Sequence, residues 1–378
     1  KFAQIDIETH EKFKRSQIEE DDILFSMAGA YLGKNAVVPR KFLPANTNQA
    51  LAIIRTNKKL AIPSFISFSL RQSSMVAYIN SMSAQSAQPN INFQEIASLP
   101  INLPPLPEQK AIAHILGTLD DKIELNRQMN ATLESMAQAL FQSWFVDFDP
   151  VMDNALAAGN PIPKALAVKA ERRKAVRASG AYQPLPKEIQ GLFSDGFLFD
   201  EGLGKWIPKG WKVKKLGENI TIKRGGSPRP IKDFIVPIGY PWLKIADATK
   251  ENSPFIFKTR ECIKEEGLRK TVLLKKGELI LSNSATPGLP KFLELDACIH
   301  DGWLYFPEKQ FFTDVYLYYL FLTLRKTFIS KGNGSVFTNL KTDILRNQPV
   351  VMPKKELLLL FSDSVGKYLS KLKRNRVE

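Results

Sequence analysis

Hydrophobic positions recur at helical spacing after a proline-rich segment, "LPPLPEQ" (103–109). From Ile112 onward apolar residues stand seven apart, with a second seam between them, and this heptad pattern predicts a long coiled-coil helix. Pro107 suits the first turn of such a helix. Asp149 should lie beyond its end, because Asp149 precedes a proline. The predicted seam residues are Ile112, Leu116, Leu119, Ile123, Asn126, Met129, Leu133, Met136 and Leu140.

A weaker copy of this junction runs from Met352 to Asn375. One ungapped shift places Pro104 on Pro353 and Asn126 on Asn375. Polar residues at core heptad positions can set helix register, so the two asparagines are candidate register marks. Either each helix packs on its own domain or the two pack on each other as a spacer, and the repeat favours the second interpretation. The seam predicted for the second helix is Phe361, Val365, Tyr368 and Leu372.

Upstream of both junctions the two copies still correspond, although the offset in residue number between matched positions changes slightly. "ANTNQALAI" (45–53) resembles "ACIHDGWLY" (297–305), and "DDILFS" (21–26) resembles "GELILS" (277–282). An ordered series of matches indicates an internal duplication. Only the second copy contains the stretch 211–248, and its last helix is the shorter one. We therefore expect that the first repeat lacks its beginning and the second its end.

Short apolar runs between Gly, Pro and Asn turns predict a strand-rich mixed fold between the helices. A helical stretch follows the strands in each copy, at 64–79 and at 314–329. Residues 150–208 are expected to form a connector with one short helix. The predicted strands are Ile23–Ser26, Leu51–Ile54, Val272–Leu274, Leu279–Leu281 and Trp303–Phe306.

The composition is strongly basic, with a formal net charge of +15 and a pI near 9.6. Such a balance favours a polyanionic partner, with nucleic acid first and a membrane surface second. Two cysteines cannot form a disulfide framework or a cysteine-rich zinc site, which fits a reducing compartment. No apolar run approaches transmembrane length, and the first residues do not read as a signal peptide.

Candidate DNA contacts lie on polar loops, of which "KRGGSPRP" (223–230) is the most basic. Glycine lets the backbone approach phosphate, and arginine pairs bidentately with phosphate or with a guanine edge. A solvated basic loop is the alternative. Two further loops occur in both copies, at 26–35 and 282–288 and at 81–90 and 330–339, and their different chemistry suits two target sequences. The candidates are Lys223, Arg224, Ser227, Arg229, Lys232, Asn283, Lys331, Asn333, Ser335 and Thr338 in the second copy, and Lys34, Asn35, Gln85, Ser86 and Gln88 in the first.

Catalytic patterns are missing from the sequence. There is no Asn/Asp-Pro-Pro-aromatic methylation motif, glycine-rich adenosylmethionine loop or phosphate-binding GxxxxGK[ST] loop. The histidines are scattered, and acidic pairs such as Glu294 and Asp296 lack a lysine at nuclease spacing. The sequence therefore favours a non-enzyme.

Three segments carry a family resemblance: "INLPPLPEQKAIAHILGTLDDKIELN", "FQSWFVDFDP" and "IPKGWKVKKLGE". They resemble the conserved regions of the specificity (S) subunit of type I restriction–modification systems, and "KRGGSPRP" resembles the motif near the start of its target recognition domains. The resemblance implies an α+β multidomain fold, in which two mixed α/β, strand-rich recognition domains are separated by long helices that form an antiparallel coiled coil. The implied division is 1–102 and 209–352 for the recognition domains, 103–148 and 353–378 for the spacer helices, and 149–208 for a connector.

The resemblance also implies partners. Each recognition domain would read half of a bipartite site in double-stranded DNA, and the chain would dock two methyltransferase (M) subunits and, through them, restriction (R) subunits. S-adenosylmethionine is expected on the M subunits, ATP and Mg on the R subunits, and no cofactor on this chain. The expected location is the cytoplasm of a bacterium or archaeon, on DNA and not at a membrane. A non-specific nucleic-acid-binding coiled-coil scaffold is the alternative, and a fused restriction enzyme is a weaker one.

Overall fold

The computed structural model describes residues 3–83, 89–180, 182–249, 253–331 and 339–376. These residues form two compact units, 1–127 and 128–378. Both units combine short-stranded sheets with helices, which confirms the predicted α+β fold class. Within the described ranges, no helix is both long enough and apolar enough to cross a membrane.

The first unit is built around a three-stranded antiparallel sheet, in the order β3-β2-β5, with β1 and β4 paired beside it in sequence. The helical stretch predicted at 64–79 is divided into two helices. The elements are α1 (Ile7–Lys12), β1 (Gln17–Ile18), β2 (Ile23–Ser26), β3 (Asn35–Val37), β4 (Ala45–Asn46), β5 (Leu51–Ile54), α2 (Pro63–Leu70), α3 (Ser73–Ser83), α4 (Phe93–Ala97) and the long α5 (Leu106–Phe141), whose first part belongs to this unit.

The core of the first unit follows the alternation of strand β2. Ile23 and Phe25 point to the same face of the sheet and are fully buried. Helix α5 is anchored to this unit by Gln109, whose side chain is also fully buried. Its Nε2 donates to the carbonyl oxygen of Leu60 at 2.9 Å, and its Oε1 accepts from the backbone N–H of Ile62 at 3.0 Å. The amide is thereby satisfied in an apolar setting, where an unpaired one would be costly.

The second unit begins with the rest of α5, which ends in a π-helical turn at Gln142–Val146. The chain then bends at Phe148, in the left-handed region at φ 56°, and Asp149 is the first residue of the next helix rather than a residue outside one. The predicted connector also differs from expectation, because it contains three helices and a hairpin instead of one short helix. Its elements are α6 (Asp149–Ala158), α7 (Ala167–Ala178), α8 (Lys187–Gln190), β6 (Phe197–Asp200) and β7 (Lys205–Pro208).

Two five-stranded sheets form the body of the second unit, in the orders β10-β13-β11-β17-β14 and β12-β16-β15-β18-β9, and β8 pairs with β19. Their elements are β8 (Lys212–Lys215), β9 (Lys223–Arg224), β10 (Ile235–Val236), β11 (Tyr240–Leu243), α9 (Ile245–Thr249), β12 (Phe255–Ile256), β13 (Glu261–Ile263), β14 (Val272–Leu274), β15 (Leu279–Ser282), β16 (Pro290–Leu293), β17 (Ala297–Ile299), β18 (Trp303–Tyr305), α10 (Asp314–Lys331), α11 (Thr342–Arg346), β19 (Pro349–Met352) and α12 (Lys355–Arg374).

An aromatic cluster joins three helices of the second unit. The ring of Phe361 in α12 lies 5.6 Å from that of Phe141 in α5 and 5.8 Å from that of Tyr319 in α10, measured between centroids. Phe145 and Tyr316, whose rings are 5.0 Å apart, also belong to the cluster. Aromatic rings bury large apolar areas and gain further from edge-to-face contacts, so this cluster stabilises the helix layer.

The duplication is visible in the strand register of the two units. In the first unit Ser26 of β2 pairs with Leu51 of β5. In the second unit Ser282 of β15 pairs with Trp303 of β18, at the positions that the sequence repeat matches to them. Equal register on both sides requires the same hydrogen-bonding frame, because a slip of one residue would exchange the two faces of a strand. The repeat therefore describes two structural copies.

Candidate nucleic-acid interface

The basic loop 223–230 is fixed to the end of a sheet in the second unit. Strand β9 pairs Arg224 with Leu304 of β18. The next two backbone amides continue this attachment, since Gly225 donates to the carbonyl oxygen of Trp303 at 2.9 Å and Gly226 to that of Ile299 at 3.2 Å. The loop is therefore held by its backbone.

Both glycines of this loop are required by the close approach of neighbouring backbone. A Cβ atom on Gly225 would overlap the carbonyl oxygen of His300, and one on Gly226 would lie 2.8 Å from the carbonyl oxygen of Lys270. Glycine removes that atom, so the loop can lie flat against the turn that contains His300. The two glycines therefore serve the packing of this loop, in addition to the approach of phosphate that the sequence predicts.

The charged groups of the loop meet at Asp301. The side chains of Arg224 and Arg229 are 55% and 73% exposed. Nη2 of Arg224 lies 3.8 Å from Oδ2 of Asp301, and Nη2 of Arg229 lies 3.6 Å from the same oxygen. The hydroxyl of Ser227 donates to Oδ1 of Asp301 at 2.7 Å. That hydrogen bond, followed by the charge of Arg224, lowers the pKa of the Asp301 carboxyl below its usual value. Asp301 is thus an ionised centre among cations.

A second predicted loop reaches the same place. The backbone N–H of Asn283 donates to the carbonyl oxygen of Gly302 at 2.9 Å, and the carbonyl oxygen of Asn283 accepts from the N–H of Leu340 at 2.7 Å. The 282–288 loop, the turn after β17 and the chain just after the 330–339 loop are therefore adjacent. Of the predicted contacts, Asn333, Ser335, Thr338, Gln85, Ser86, Gln88 and the side chain of Lys331 lie outside the described residues.

Asn283 itself is placed below the surface. It is 5% exposed, and its Nδ2 donates to the carbonyl oxygen of Asp301 at 3.2 Å. A buried amide that supports a turn cannot also reach a base edge without moving, so the predicted direct contact is corrected to a supporting role. Lys223 and Lys232 are exposed, as a direct contact requires, and Ser227 is half-buried.

The first unit repeats the contact between the two shared loops with different side chains, although the stretch that carries the basic loop belongs to the second copy alone. The N–H of Ile91 donates to the carbonyl oxygen of Met27 at 2.9 Å, which corresponds to the bond from Leu340 to Asn283. Lys34 is exposed, with Nζ 4.5 Å from the ring centre of Tyr31. Asn35 is already engaged, because its Oδ1 accepts from the Ser67 hydroxyl at 2.7 Å. Lys34 is therefore the better placed of the two predicted contacts.

The predicted helix seams are buried unevenly. In the first unit Leu119 is 56% exposed, whereas Ile112 packs on the core and Leu116, Ile123 and Asn126 are half-buried. In the second unit Met136 is 47% exposed, and Leu133 and Leu140 pack on the core. Met129 is half-buried. On α12 the buried predicted residues are Phe361, Val365 and Leu372, with Tyr368 partly buried.

The buried face of α5 and α12 also includes two residues that the heptad pattern does not predict. Ala137 is fully buried between the half-buried positions of α5, and Leu369 is buried beside Tyr368. An ideal helix has 3.6 residues per turn and drifts from a strict seven-residue repeat, so the buried stripe moves to neighbouring positions along the helix. Within the described residues, no three histidine, cysteine or acidic side chains are grouped as a metal ion would require.

Comparison with known proteins gives a consistent result. A family model described as the type I restriction modification DNA specificity domain matches residues 4–135 and 208–372. The type I restriction enzyme HindI specificity subunit of Haemophilus influenzae is 27% identical over 399 residues, covering 96% of this chain and 83% of that protein. The MjaIX specificity subunit of Methanocaldococcus jannaschii is 23% identical over 344 residues, covering 88% and 68%, respectively.

Solved structures support the fold. The crystal structure of a type I restriction–modification S subunit from M. genitalium superposes with a TM-score of 0.50 at 13% identity, and the match covers 96% of this chain and 81% of that one. At this identity the likeness concerns the arrangement of elements alone. The two separate segments matched by the family model coincide with the two structural copies, so each copy carries the features of that domain.

Proposed function

The chain belongs to the family of type I restriction–modification DNA specificity subunits, and we propose that it reads a bipartite duplex target with one recognition domain for each half-site. Specificity subunits of this family are non-catalytic. The observation that carries the proposal is the duplicated frame, in which equivalent loops meet at the end of equivalent strands. Because the frame is shared and the loop side chains differ, each copy is suited to a different base sequence.

The chemistry of the second copy supports contact with DNA. Arg224 and Arg229 are exposed and stand on a loop whose backbone is fixed, and Lys223 and Lys232 flank them. Arginine on a rigid support can pair with phosphate or with guanine. The net charge of +15 supplies the long-range attraction for a duplex.

We further propose that the chain assembles with two M subunits and, through them, with R subunits. The support is the family membership and the similarity to specificity subunits of type I restriction enzymes. In such a complex S-adenosylmethionine would be bound by the M subunits and ATP with Mg by the R subunits. This chain would contribute target selection, and it would act on DNA in the cytoplasm of a bacterium or archaeon.

A domain exchange tests half-site recognition. Residues 211–350 are replaced by the matching segment of a family member with a different target, and methylated sites are mapped across the genome of cells that express the complex. One half of the target should change while the other stays. A chain rejoined at the same boundaries with its own segment controls for the junctions. Unchanged sites in the exchanged chain would overturn the proposal.

The competing function is a scaffold that binds nucleic acid without sequence preference, which the basic composition alone would also favour. It predicts equal affinity for duplexes with and without the mapped site at matched salt, with a steep salt dependence for both. Binding of the wild-type chain to the two duplexes therefore separates the candidates, since recognition requires a large ratio between the two affinities.

A further inference from the structure

We propose that Asp301 is an internal counter-ion that holds Arg224 and Arg229 in the DNA-free protein and thereby suppresses non-specific DNA binding. The inference rests on the proposed function and assigns a specificity role to a residue that does not itself need to touch a base. It concerns how the second recognition domain rejects wrong sequences, beyond the question of which loops face DNA.

Asp301 contacts two loops of the candidate interface in its unit. Its carboxylate accepts from Ser227 and faces the guanidinium groups of both arginines. Its carbonyl oxygen accepts from Nε of Arg224 and from Nδ2 of Asn283. One residue thus joins the basic loop to the 282–288 loop through both its side chain and its backbone.

The turn around Asp301 is held by hydrogen bonds within it. The N–H of Trp303 donates to the carbonyl oxygen of His300 at 3.0 Å, and the N–H of Gly302 donates to Nδ1 of His300 at 2.7 Å. A Cβ atom on Gly302 would overlap the imidazole ring of His300. The turn therefore positions the carboxylate between the two arginines before DNA arrives.

The ion pairs are weak enough to be exchanged. Both arginines are more than half exposed and their nitrogens lie 3.6 Å and 3.8 Å from Oδ2, so solvent screens the attraction and each pair contributes little to folding. A phosphate or a guanine edge can take the place of the carboxylate. The carboxylate then stands beside the incoming DNA, and its repulsion must be offset by correct base contacts.

Repulsion of this kind is a recognised source of specificity. A binding site discriminates between two partners by the difference between their binding free energies. An unfavourable interaction in the site therefore lowers the affinity for every partner whose other contacts do not offset it. A loop with two arginines and no carboxylate would attract any duplex through phosphate alone. Asp301 removes part of that attraction, and the sequence-dependent contacts then account for a larger share of the binding.

If Asp301 only supported the loop, the loss of its charge would have a different effect on DNA binding. The variant Asp301→Asn separates these two roles. Asparagine keeps an oxygen that can accept from Ser227, and its backbone carbonyl is unchanged, so the loop remains attached. Only the negative charge is lost. Asp363→Asn is the matched control, because it removes the same charge from a carboxylate that pairs with Lys367 at 2.9 Å on α12 and not in the candidate interface.

The experiment measures binding of the full chain, with its M partners, to a duplex that carries the mapped site and to a scrambled duplex of the same length over a series of salt concentrations. Asp301→Asn should bind the scrambled duplex roughly three- to ten-fold more tightly, with a steeper salt dependence, and the mapped site with a smaller gain. The ratio of the two affinities therefore falls. Asp363→Asn should leave the affinity for the scrambled duplex near that of the wild type.

Two outcomes would overturn the inference while the proposed function stands. In one, Asp301→Asn weakens binding to both duplexes equally, which means that Asp301 only supports the loop. In the other, the wild-type chain discriminates strongly and Asp301→Asn has unchanged affinities. A wild-type chain that binds both duplexes equally instead contradicts the proposed function itself.

Discussion

Asn375, at the C-terminal end of α12, donates from Nδ2 to Oδ1 of Asn130 in α5 at 3.0 Å. At the other end of the same contact, the rings of Phe361 and Phe141 are 5.6 Å apart. Moving forward along α12 therefore means moving backward along α5, so the two helices run antiparallel within the second unit. Asn375 is the equivalent of Asn126 in the sequence repeat, and its hydrogen-bond partner is Asn130, one turn further along α5.

The asparagine pair should contribute modestly to stability and more clearly to register. Asn130→Ala, Asn375→Ala and the double variant form a cycle, measured by urea unfolding. Each single change should cost about 0.5–1.5 kcal/mol, because it leaves the remaining amide without its partner, and the double variant should cost less than the sum. Ser370→Ala, at an exposed position of α12, is the control. Additive effects would mean that the hydrogen bond has no influence on the packing of the helices.

Phe361 should be the strongest single contributor to the antiparallel contact. It is fully buried and contacts rings of α5 and α10, so Phe361→Ala is expected to lower the free energy of unfolding by about 3–5 kcal/mol. Leu359 lies half exposed on the same helix, and Leu359→Ala should change stability by less than about 0.5 kcal/mol. If both variants lost the same free energy of unfolding, Phe361 would not be more deeply buried than Leu359 on α12.

The duplicated frame was predictable because it depends on local sequence. Short β-branched and aromatic runs between turn residues define strands such as Ile23–Ser26, and the structure has that strand with the same bounds. The repeat then transfers the prediction from one copy to the other. It holds even for single backbone hydrogen bonds, since the bond from Ile91 to Met27 in the first copy corresponds to the bond from Leu340 to Asn283 in the second. Both bonds join segments whose correspondence was already visible in the sequence.

The role of Asp301 was not predictable, because the contact that reveals it is not local. Asp301 lies in the repeat segment 297–305, but it is far from Arg224 and Ser227 along the chain. Only the pairing of β9 with β18 brings the two segments together. Asn283 was misjudged for a related reason, since its side-chain type suits base recognition but its burial depends on the turn above it.

The arginines of the basic loop should contribute directly to DNA affinity. Arg224→Ala and Arg229→Ala are each expected to weaken binding by about 1–3 kcal/mol if the side chain pairs with a guanine, with relaxed preference at one base. A phosphate contact would instead weaken all duplexes alike and reduce the salt slope by about one unit. Lys367→Ala on α12 is the control. Binding at wild-type affinity by both variants would exclude this loop from the interface.

Gly225 should be intolerant of any side chain. In Gly225→Ala the new Cβ would overlap the backbone of His300, so the loop must shift and the arginines with it. Binding to the mapped site should weaken about ten-fold, since displacement removes contacts worth about 1–2 kcal/mol. Gly366→Ala on α12 meets open space and should leave DNA binding unchanged while adding about 0.5–1 kcal/mol of stability. If both variants bind like the wild type, the close packing of the loop is not needed for recognition.

His300 should make the second unit sensitive to mild acid. Burial lowers the pKa of its imidazole below the usual 6.5, and the nearby Asp301 carboxylate offsets only part of this effect. The unfolded chain, with the ordinary pKa, then binds a proton more readily than the folded one. The stabilising contribution is therefore present above about pH 6.5 and is lost as the pH falls through the lower folded-state value.

Urea unfolding between neutral pH and about pH 5 tests this effect. His300→Asn keeps an acceptor for the N–H of Gly302 but cannot titrate, so its stability should fall less steeply with pH than that of the wild type. His114→Asn, at an exposed site on α5, should follow the wild-type curve. If His300→Asn and the wild type lose stability in parallel, the buried imidazole is not the source of the acid sensitivity.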